Sequence, residues 1–417
     1  MNSVYNLIIR LFSVGLAMAA MFNEKAKLLY AGQKRVFSEL SEVRGDRPLL
    51  WVHCASLGEF EQGRPLIERM RRSRPEFYIL LTFFSPSGYE VRKNYGGADC
   101  ICYLPLDSRA NVRRFLKMTN PALIFFIKYE YWRNFFMEIR RQNIPLYMVS
   151  AIFRPEQYFF RNGSVGRWYR TILQNVTHFF VQNEASAALL RQIGLHNSTV
   201  TGDTRFDRVV EIAASRKDLP LIEQFKGNAT LLVVGSSWPP DEELIMAAIA
   251  RYPAIKFVIA PHEVKSANIE RLLSAIPLAT RYTNPVNLAD SRVLIIDCIG
   301  ILSSIYRYAD IAYIGGGFGI GIHNTLEAAV YNIPLLFGPN YLRFQEAVEL
   351  EQRGIAFPIE DEETLLARLS PLVDNRELIA EISNKCAEFM SENIGATDKV
   401  INFVFAENHL EGQNDRS

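Results

Sequence analysis

From Leu49 onward the apolar positions come in short, β-rich runs separated by stretches with helical spacing. Runs at 49–54, 78–84, 100–106, 122–127, 145–151 and 178–182 read as strands. Between them, segments such as "GRPLIERMRR", "RANVRRFLKM" and "WRNFFMEIRR" place their apolar residues on one helical face. A second series follows at 230–237, 255–262, 292–298, 310–316 and 333–339, with helices expected at 240–251, 264–275, 299–308, 323–332 and 342–353. Near-continuous apolar strands joined by helices predict parallel sheets covered on both faces. The fold class is therefore α/β, with two tandem Rossmann-like, doubly wound domains. Residues 208–228 are polar with one short apolar patch and read as the linker. The expected divisions are a membrane-associating helix at 1–22, a first domain at 23–212, a second at 213–395, and a helix or tail at 396–417. Ligands of such folds bind beyond the carboxyl ends of the strands, so an interdomain cleft is the expected site.

The amino terminus breaks this pattern. Leu11 to Phe22 is apolar, with Arg10 before it and Lys25 and Lys27 after it. A bilayer-spanning helix needs roughly 20 apolar residues, a length nearly reached by counting back to Val4 past Arg10. An amphipathic helix packed on the body fits the pattern, and so does an anchor lying in a membrane surface. The cationic flanks favour the anchor.

Composition narrows the class. A chain of 417 residues suits about two domains. Hydrophobic content of 49% with 22% charged residues is that of a folded globular protein. A formal net charge of +1 offers no field for nucleic acid, which is not expected as a partner. The five cysteines, at 54, 100, 102, 298 and 386, lack zinc-type spacing and read as reduced core thiols. Neither a metal nor a cofactor is expected.

Two motifs carry candidate chemistry. The first is "AYIGGGFGIGIHNTLEAA", a strand running through glycines into an expected helix, where backbone amides can meet a phosphate. It fails the dinucleotide fingerprint in every register, because Ile320, Ile322 or Asn324 stands at the third glycine position. With no G-K-[ST] in the chain, the P-loop is also excluded. Asn324 suits a helix cap, and Glu327 either a dipole-stabilising carboxylate or a ligand for two ribose hydroxyls. The second motif is "WVHCASLGE", in which Ser56 to Glu59 spell a capping box at a strand-to-helix turn. Glu59 is either that box's carboxylate or a base held over a cleft; Glu61, two positions on, faces elsewhere.

Taken in order, "WVHCASLGE", "QNEASAALLRQIG", "TGDTRFD", "GSSWPPDEE", "APHE" and "GGGFGIGIHNTLEAA…PLLFGP" resemble the Kdo transferases, which add 3-deoxy-D-manno-octulosonic acid to a lipid A precursor. The resemblance runs from about Leu49 to beyond Pro339. It implies the GT-B architecture, a CMP-Kdo donor on the second domain, and a lipid A precursor (lipid IVA) approached from inner-membrane lipid at its cytoplasmic face. It implies Glu59 as general base, and donor contacts at Pro261, His262, Ile299, Gly300, Ile301, Asn324, Thr325, Leu326 and Glu327. Where the family commonly has Arg after the Pro of "PRH", this chain has His262, so His262 or Lys265 must be the cationic partner. Where a Gly-Glu pair is common, Ile301 offers only backbone.

Acceptor-side candidates are Lys128 and Glu130, after a strand end, and Arg64. The Arg-rich stretch 64–75 and the basic-aromatic stretch 153–170 suit lipid headgroups or acceptor phosphates. Two rivals share the fold: a nucleotide-sugar epimerase or hydrolase, and a membrane-tethered nucleotide-sugar binder without catalysis.

Overall fold

The computed structural model describes residues 1–40, 46–215 and 217–406. The chain divides into two compact units, one of residues 1–208 with the chain from 394 on, the other of residues 209–393. In the first unit the strands are β1 (Leu49–Cys54), β2 (Tyr78–Phe83), β3 (Cys100–Tyr103), β4 (Pro121–Ile127), β5 (Leu146–Ala151), β6 (His178–Val181) and β7 (Ser198–Val200). They form one parallel sheet in the order β3-β2-β1-β4-β5-β6-β7. The second unit holds β8 (Leu231–Ser237), β9 (Lys256–Pro261), β10 (Ala279–Arg281), β11 (Val293–Ile295), β12 (Ile311–Ile314), β13 (Leu335–Phe337) and β14 (Ala356–Pro358). Its sheet is also parallel, in the order β10-β11-β9-β8-β12-β13-β14. The expected α/β, GT-B-like class is what the chain adopts, and every apolar run proposed as a strand is one.

Central strands read clearly because both faces are covered. All six residues of β1 are buried, and Trp51 lies among Phe115, Phe126 and Phe135 at centroid distances of 4.9, 5.2 and 5.6 Å. Rings so enclosed contribute about 1.5–3 kcal/mol each through burial. Strands β7, β10 and β14 escape the apolar pattern. Each has three residues and closes an outer edge of its sheet, where one neighbour is missing and burial is partial.

The boundary between the units falls at the start of the expected linker, 208–228, but that segment is largely helical. Residues 204–214 are helical (Thr204–Ala214), and so are Pro220–Lys226, where Pro220 begins the helix without needing its missing N–H. Leu219, Ile222 and Phe225 are buried, so the short apolar patch is a packed face. At the other end of the chain, helix Ala396–Phe405 belongs to the first unit. Asp207 accepts from Gly395 N (2.6 Å) and Thr397 N (2.7 Å) at its start, and Arg69 pairs with Asp398 at 2.9 Å. The rest of the expected tail, 407–417, lies outside the described residues.

The amino-terminal helix Asn2–Ala19 is docked on the first unit by one face. Ile9 and Leu16 are buried, Tyr5 donates to Asp107 Oδ2 at 2.5 Å, Asn134 donates to Asn6 at 2.9 Å, and Trp168 donates to Asn2 at 2.9 Å. Its other face exposes Val4, Leu7, Ile8, Leu11, Phe12, Val14 and Met18. Among the described residues it is the one helix long and apolar enough to cross a membrane.

Candidate functional site

In a doubly wound sheet, ligands bind where the chain leaves neighbouring strands in opposite directions. In the first unit that point lies between β1 and β4, the two adjacent strands from which the order runs outward both ways. Glu59 follows β1, while Lys128 and Glu130 follow β4. Three of the singled-out residues therefore share one strand-end crevice.

Glu59 is in the first turn of helix Leu57–Ser73, capped by Ser56, whose side chain accepts from Glu59 N at 3.4 Å. The carboxylate reaches back past the cap and accepts from Ala55 N at 2.6 Å through Oε2. The motif is thus a variant of the capping box, with the return bond made one residue upstream of its usual partner. Glu59 is only 9% exposed. Burial, then the charge of Glu130, pushes its pKa up to about 7, against the opposing pull of the Ala55 N–H and Lys128. A carboxyl poised there accepts a proton near neutrality far more readily than an ordinary glutamate.

The β4 side is shaped by strain and by a buried histidine. Lys128 holds a left-handed backbone (φ 68°), uncommon for a residue with a Cβ, and its N–H donates to Val149 O at 3.0 Å. His53, wholly buried on β1, points Nε2 toward Glu130 Oε2 at 3.9 Å, and its Nδ1 is 2.9 Å from Thr82 Oγ1. Thr82 also accepts from Trp51 Nε1 at 2.8 Å. Next to these residues is an open cavity of about 470 Å³ lined by Tyr129, Tyr131, Arg154, Gln157, Tyr158 and Tyr169, among others. Most of that lining comes from the basic-aromatic stretch. Arg64 is engaged elsewhere on its helix, donating to Glu68 at 2.6 Å with its guanidinium over Tyr95.

In the second unit the corresponding point lies between β8 and β12. A register shift after Gly235, with Ser236 left-handed (φ 55°), turns the end of β8 and delivers Trp238. Trp238 stacks on His262 (4.6 Å, 23°), which follows β9 and stacks on His323 (4.5 Å, 22°), which follows β12. The Trp238 indole N–H donates to His323 Nε2 at 3.1 Å, leaving the His323 proton on Nδ1. Burial, with the His262 ring beside it, holds the His323 pKa down at about 4, so the ring is neutral at physiological pH. Trp238 and His323 were not singled out from the sequence, although "SSWPP" at a strand-to-helix turn was the available signal.

The glycine loop is built differently from expectation. The helix expected at 323–332 is only Leu326–Ala329, with Thr325 at its cap position. Gly315 N bonds to Gly235 O, Gly316 N to Asp241, Gly319 N and Gly321 N to Gly316 O, and His323 N to Gly315 O. Those amides hold the loop, not an anion at a helix start. The glycines serve close packing as well: a Cβ on Gly317 would fall 2.5 Å from Gly338 Cα. Buried Asp241 ties the site together, accepting from Trp238 N, Gly316 N and Tyr313 OH at 2.8, 2.9 and 2.7 Å.

Of the expected donor residues, Asn324 bonds through Nδ2 to Glu327 Oε1 at 3.1 Å and accepts from Leu326 N. Thr325 Oγ1 is buried and has no hydrogen-bond partner among the described residues. Leu326 is buried in the core. Pro261 ends β9. Ile299 is exposed, Gly300 is left-handed (φ 84°), and Ile301 leads into the short helix Leu302–Ile305. Lys265, considered as the cationic partner, pairs with Glu263 at 2.8 Å.

Residues 30–208 match the family model described as 3-deoxy-D-manno-octulosonic-acid transferase (Kdo transferase). The chain is 24% identical over 368 residues to the 3-deoxy-D-manno-octulosonic acid transferase of Haemophilus influenzae, covering 85% of this chain and 86% of that protein. To the enzyme of the same name from Aquifex aeolicus it is 27% identical over 354 residues, covering 83% and 92%. Among solved structures, UDP-GlcNAc 2-epimerase from Neisseria meningitidis bound to UDP-GlcNAc shares the fold, with a TM-score of 0.60, 16% identity, and 87% and 100% of the two chains covered. By sequence, through residues 30–208 and through relatives aligned over most of its length, this chain is similar to the Kdo transferases.

Proposed function

We propose that the chain is an inverting glycosyltransferase that moves Kdo from CMP-Kdo to a lipid A precursor in lipopolysaccharide synthesis. Its place would be the cytoplasmic face of the inner membrane. The observation that supports this most is the convergence of Glu59, Lys128 and Glu130 on the strand-order reversal of the first unit, with Glu59 buried and charged against Glu130. Glu59 takes the proton of an acceptor hydroxyl as that oxygen bonds to the anomeric carbon of the donor sugar. The bond from that carbon to the CMP phosphate oxygen breaks, and its electron pair leaves with CMP. The tyrosine-lined cavity at Tyr129 and Tyr131 suits the ring faces of a sugar acceptor, with Arg154 at its wall. The cytidine nucleotide belongs at the Trp238–His262–His323 stack and the Asn324–Glu327 pair. The amino-terminal helix, tied to the body at Asn2, Tyr5, Asn6, Ile9 and Leu16, lies along the membrane with its apolar face inward.

The epimerase fold likeness keeps a rival reading open to test. Purified protein is incubated with CMP-Kdo and a lipid A precursor, and both CMP and glycosylated lipid are measured. Transfer, lost in Glu59→Gln with CMP binding kept, supports the proposal. Donor consumption without transfer indicates a hydrolase or epimerase, and binding alone a non-catalytic protein.

A further inference from the structure

A second cavity, of about 270 Å³, opens on the first unit, and Glu59, Lys128 and Glu130 are not among its lining residues. It is lined by Asn2, Arg109, Arg113, Arg133, Met137 and Arg141, among others, with Glu138 the one acidic residue in its wall. Glu138 is already engaged by Arg141. Among the described residues Arg109 and Arg113 form no ion pair, and both are exposed. Arg133 is 4% exposed, with its guanidinium over the Trp168 ring at 5.6 Å, and its Nε is buried with no hydrogen-bond partner among the described residues. Burial lowers the proton affinity of Arg133, and the charge of Arg109 adds to this against the opposing pull of Tyr5 and Asp107. Helix Arg109–Thr119 begins at this cavity and adds its positive dipole end to the field, while the first amides of helix Arg133–Arg141 are already bonded to the Asp107 carboxylate.

Four arginines around a concave site with one acidic wall residue, one of them a buried guanidinium whose Nε has no hydrogen-bond partner among the described residues, call for an anion with several acceptor oxygens. The position of the cavity says which kind. Asn2 lines it and also starts the helix whose outer face exposes Val4, Leu7, Ile8 and Leu11, while Met137 exposes its side chain at the wall. An anion held here is next to apolar surface. We infer that this cavity binds the phosphate of an anionic membrane lipid, setting the first unit against the bilayer. The site goes beyond the proposed reaction and does not depend on Glu59 being its base. The other source of the same chemistry is a phosphate that is free or carried by a lipid A precursor.

The full chain is titrated with phosphatidylcholine vesicles, with and without phosphatidylglycerol, at physiological salt. The wild type is expected to prefer the anionic vesicles. The Arg109→Glu/Arg113→Glu variant is expected to lose that preference by about tenfold or more, since each basic group near an anionic surface contributes severalfold. Its binding to neutral vesicles and its thermal midpoint stay unchanged, because both side chains are exposed and a glutamate at 109 suits the start of its helix. Arg368→Glu/Arg376→Glu, with the same change of charge on the second unit, keeps the preference. Retention of the preference in the first variant, or equal loss in the second, overturns the site. Abolition of the preference by inorganic phosphate, or by a lipid A precursor at far lower concentration than phosphatidylglycerol, overturns the assignment of its source.

Discussion

Glu59 and Glu130 stand at the ends of adjacent parallel strands, and the negative charge of Glu130 raises the proton affinity of Glu59. The larger cause is burial of Glu59, and Lys128 opposes both. Removing Glu130's charge while keeping its shape should therefore shift the titration of Glu59 downward. Transfer activity in the wild type is expected to fall about tenfold per pH unit below about 7, where the base becomes protonated. In Glu130→Gln the acid limb of the kcat/KM profile moves to lower pH. An unmoved limb would assign it to another group.

The same carboxyl has a consequence for stability, with the sign set by its raised pKa. Between the ordinary glutamate value and about 7, the folded state binds more protons than the unfolded state, so its stability falls as pH rises through that window. Glu59→Gln keeps an oxygen for the Ala55 N–H and removes the buried charge. It should stabilise the protein at pH 8 by up to about 3 kcal/mol, and much less at pH 5. Thermal melts at the two pH values check this; an equal effect at both would show that the gain is not ionisation.

The Trp238 indole N–H fixes the His323 tautomer. Trp238→Phe preserves a ring against His262 but removes that donor. Calorimetry should show CMP binding weakened about fivefold, the worth of a neutral hydrogen bond, with little change in melting temperature. Unchanged affinity would place the nucleotide elsewhere.

Close backbone packing at the glycine loop makes Gly317→Ala costly, by about 1–3 kcal/mol, because backbone lies against the added methyl. Gly58 is the contrast: a Cβ added there would meet only Ser56 Oγ, at 4.0 Å, and the residue lies within a helix. Gly58→Ala should be neutral or stabilising by up to about 1 kcal/mol. Denaturant melts of both separate loop packing from general glycine effects.

Membrane attachment should divide along the amino-terminal helix. Replacing exposed Leu7, Leu11 and Met18 with Gln is expected to release the folded protein from membranes in flotation assays. Ile9→Gln, at a buried position, should instead lower the melting temperature. If the triple variant floats as the wild type does, the exposed face is not the anchor.

How much of this was legible in residue order depends on the range of the forces concerned. Apolar runs such as "LLWVHC" announce central strands because covered sheets demand them, and Ser56 with Glu59 announces a helix start because capping is local. The short edge strands β7, β10 and β14, with less burial to impose a pattern, left no such mark. The expected helix from His323 shrank to Leu326–Ala329 because the loop's amides found partners within the loop and on Gly235 and Asp241. The sequence by itself determined two parallel α/β units, an apolar amino-terminal helix and Glu59 as a base candidate. Only the tertiary structure decided that β1 lies beside β4 and β8 beside β12. Strand order is settled by packing between segments far apart in the chain, and it is that order which brings Glu130 to Glu59 and stacks Trp238, His262 and His323.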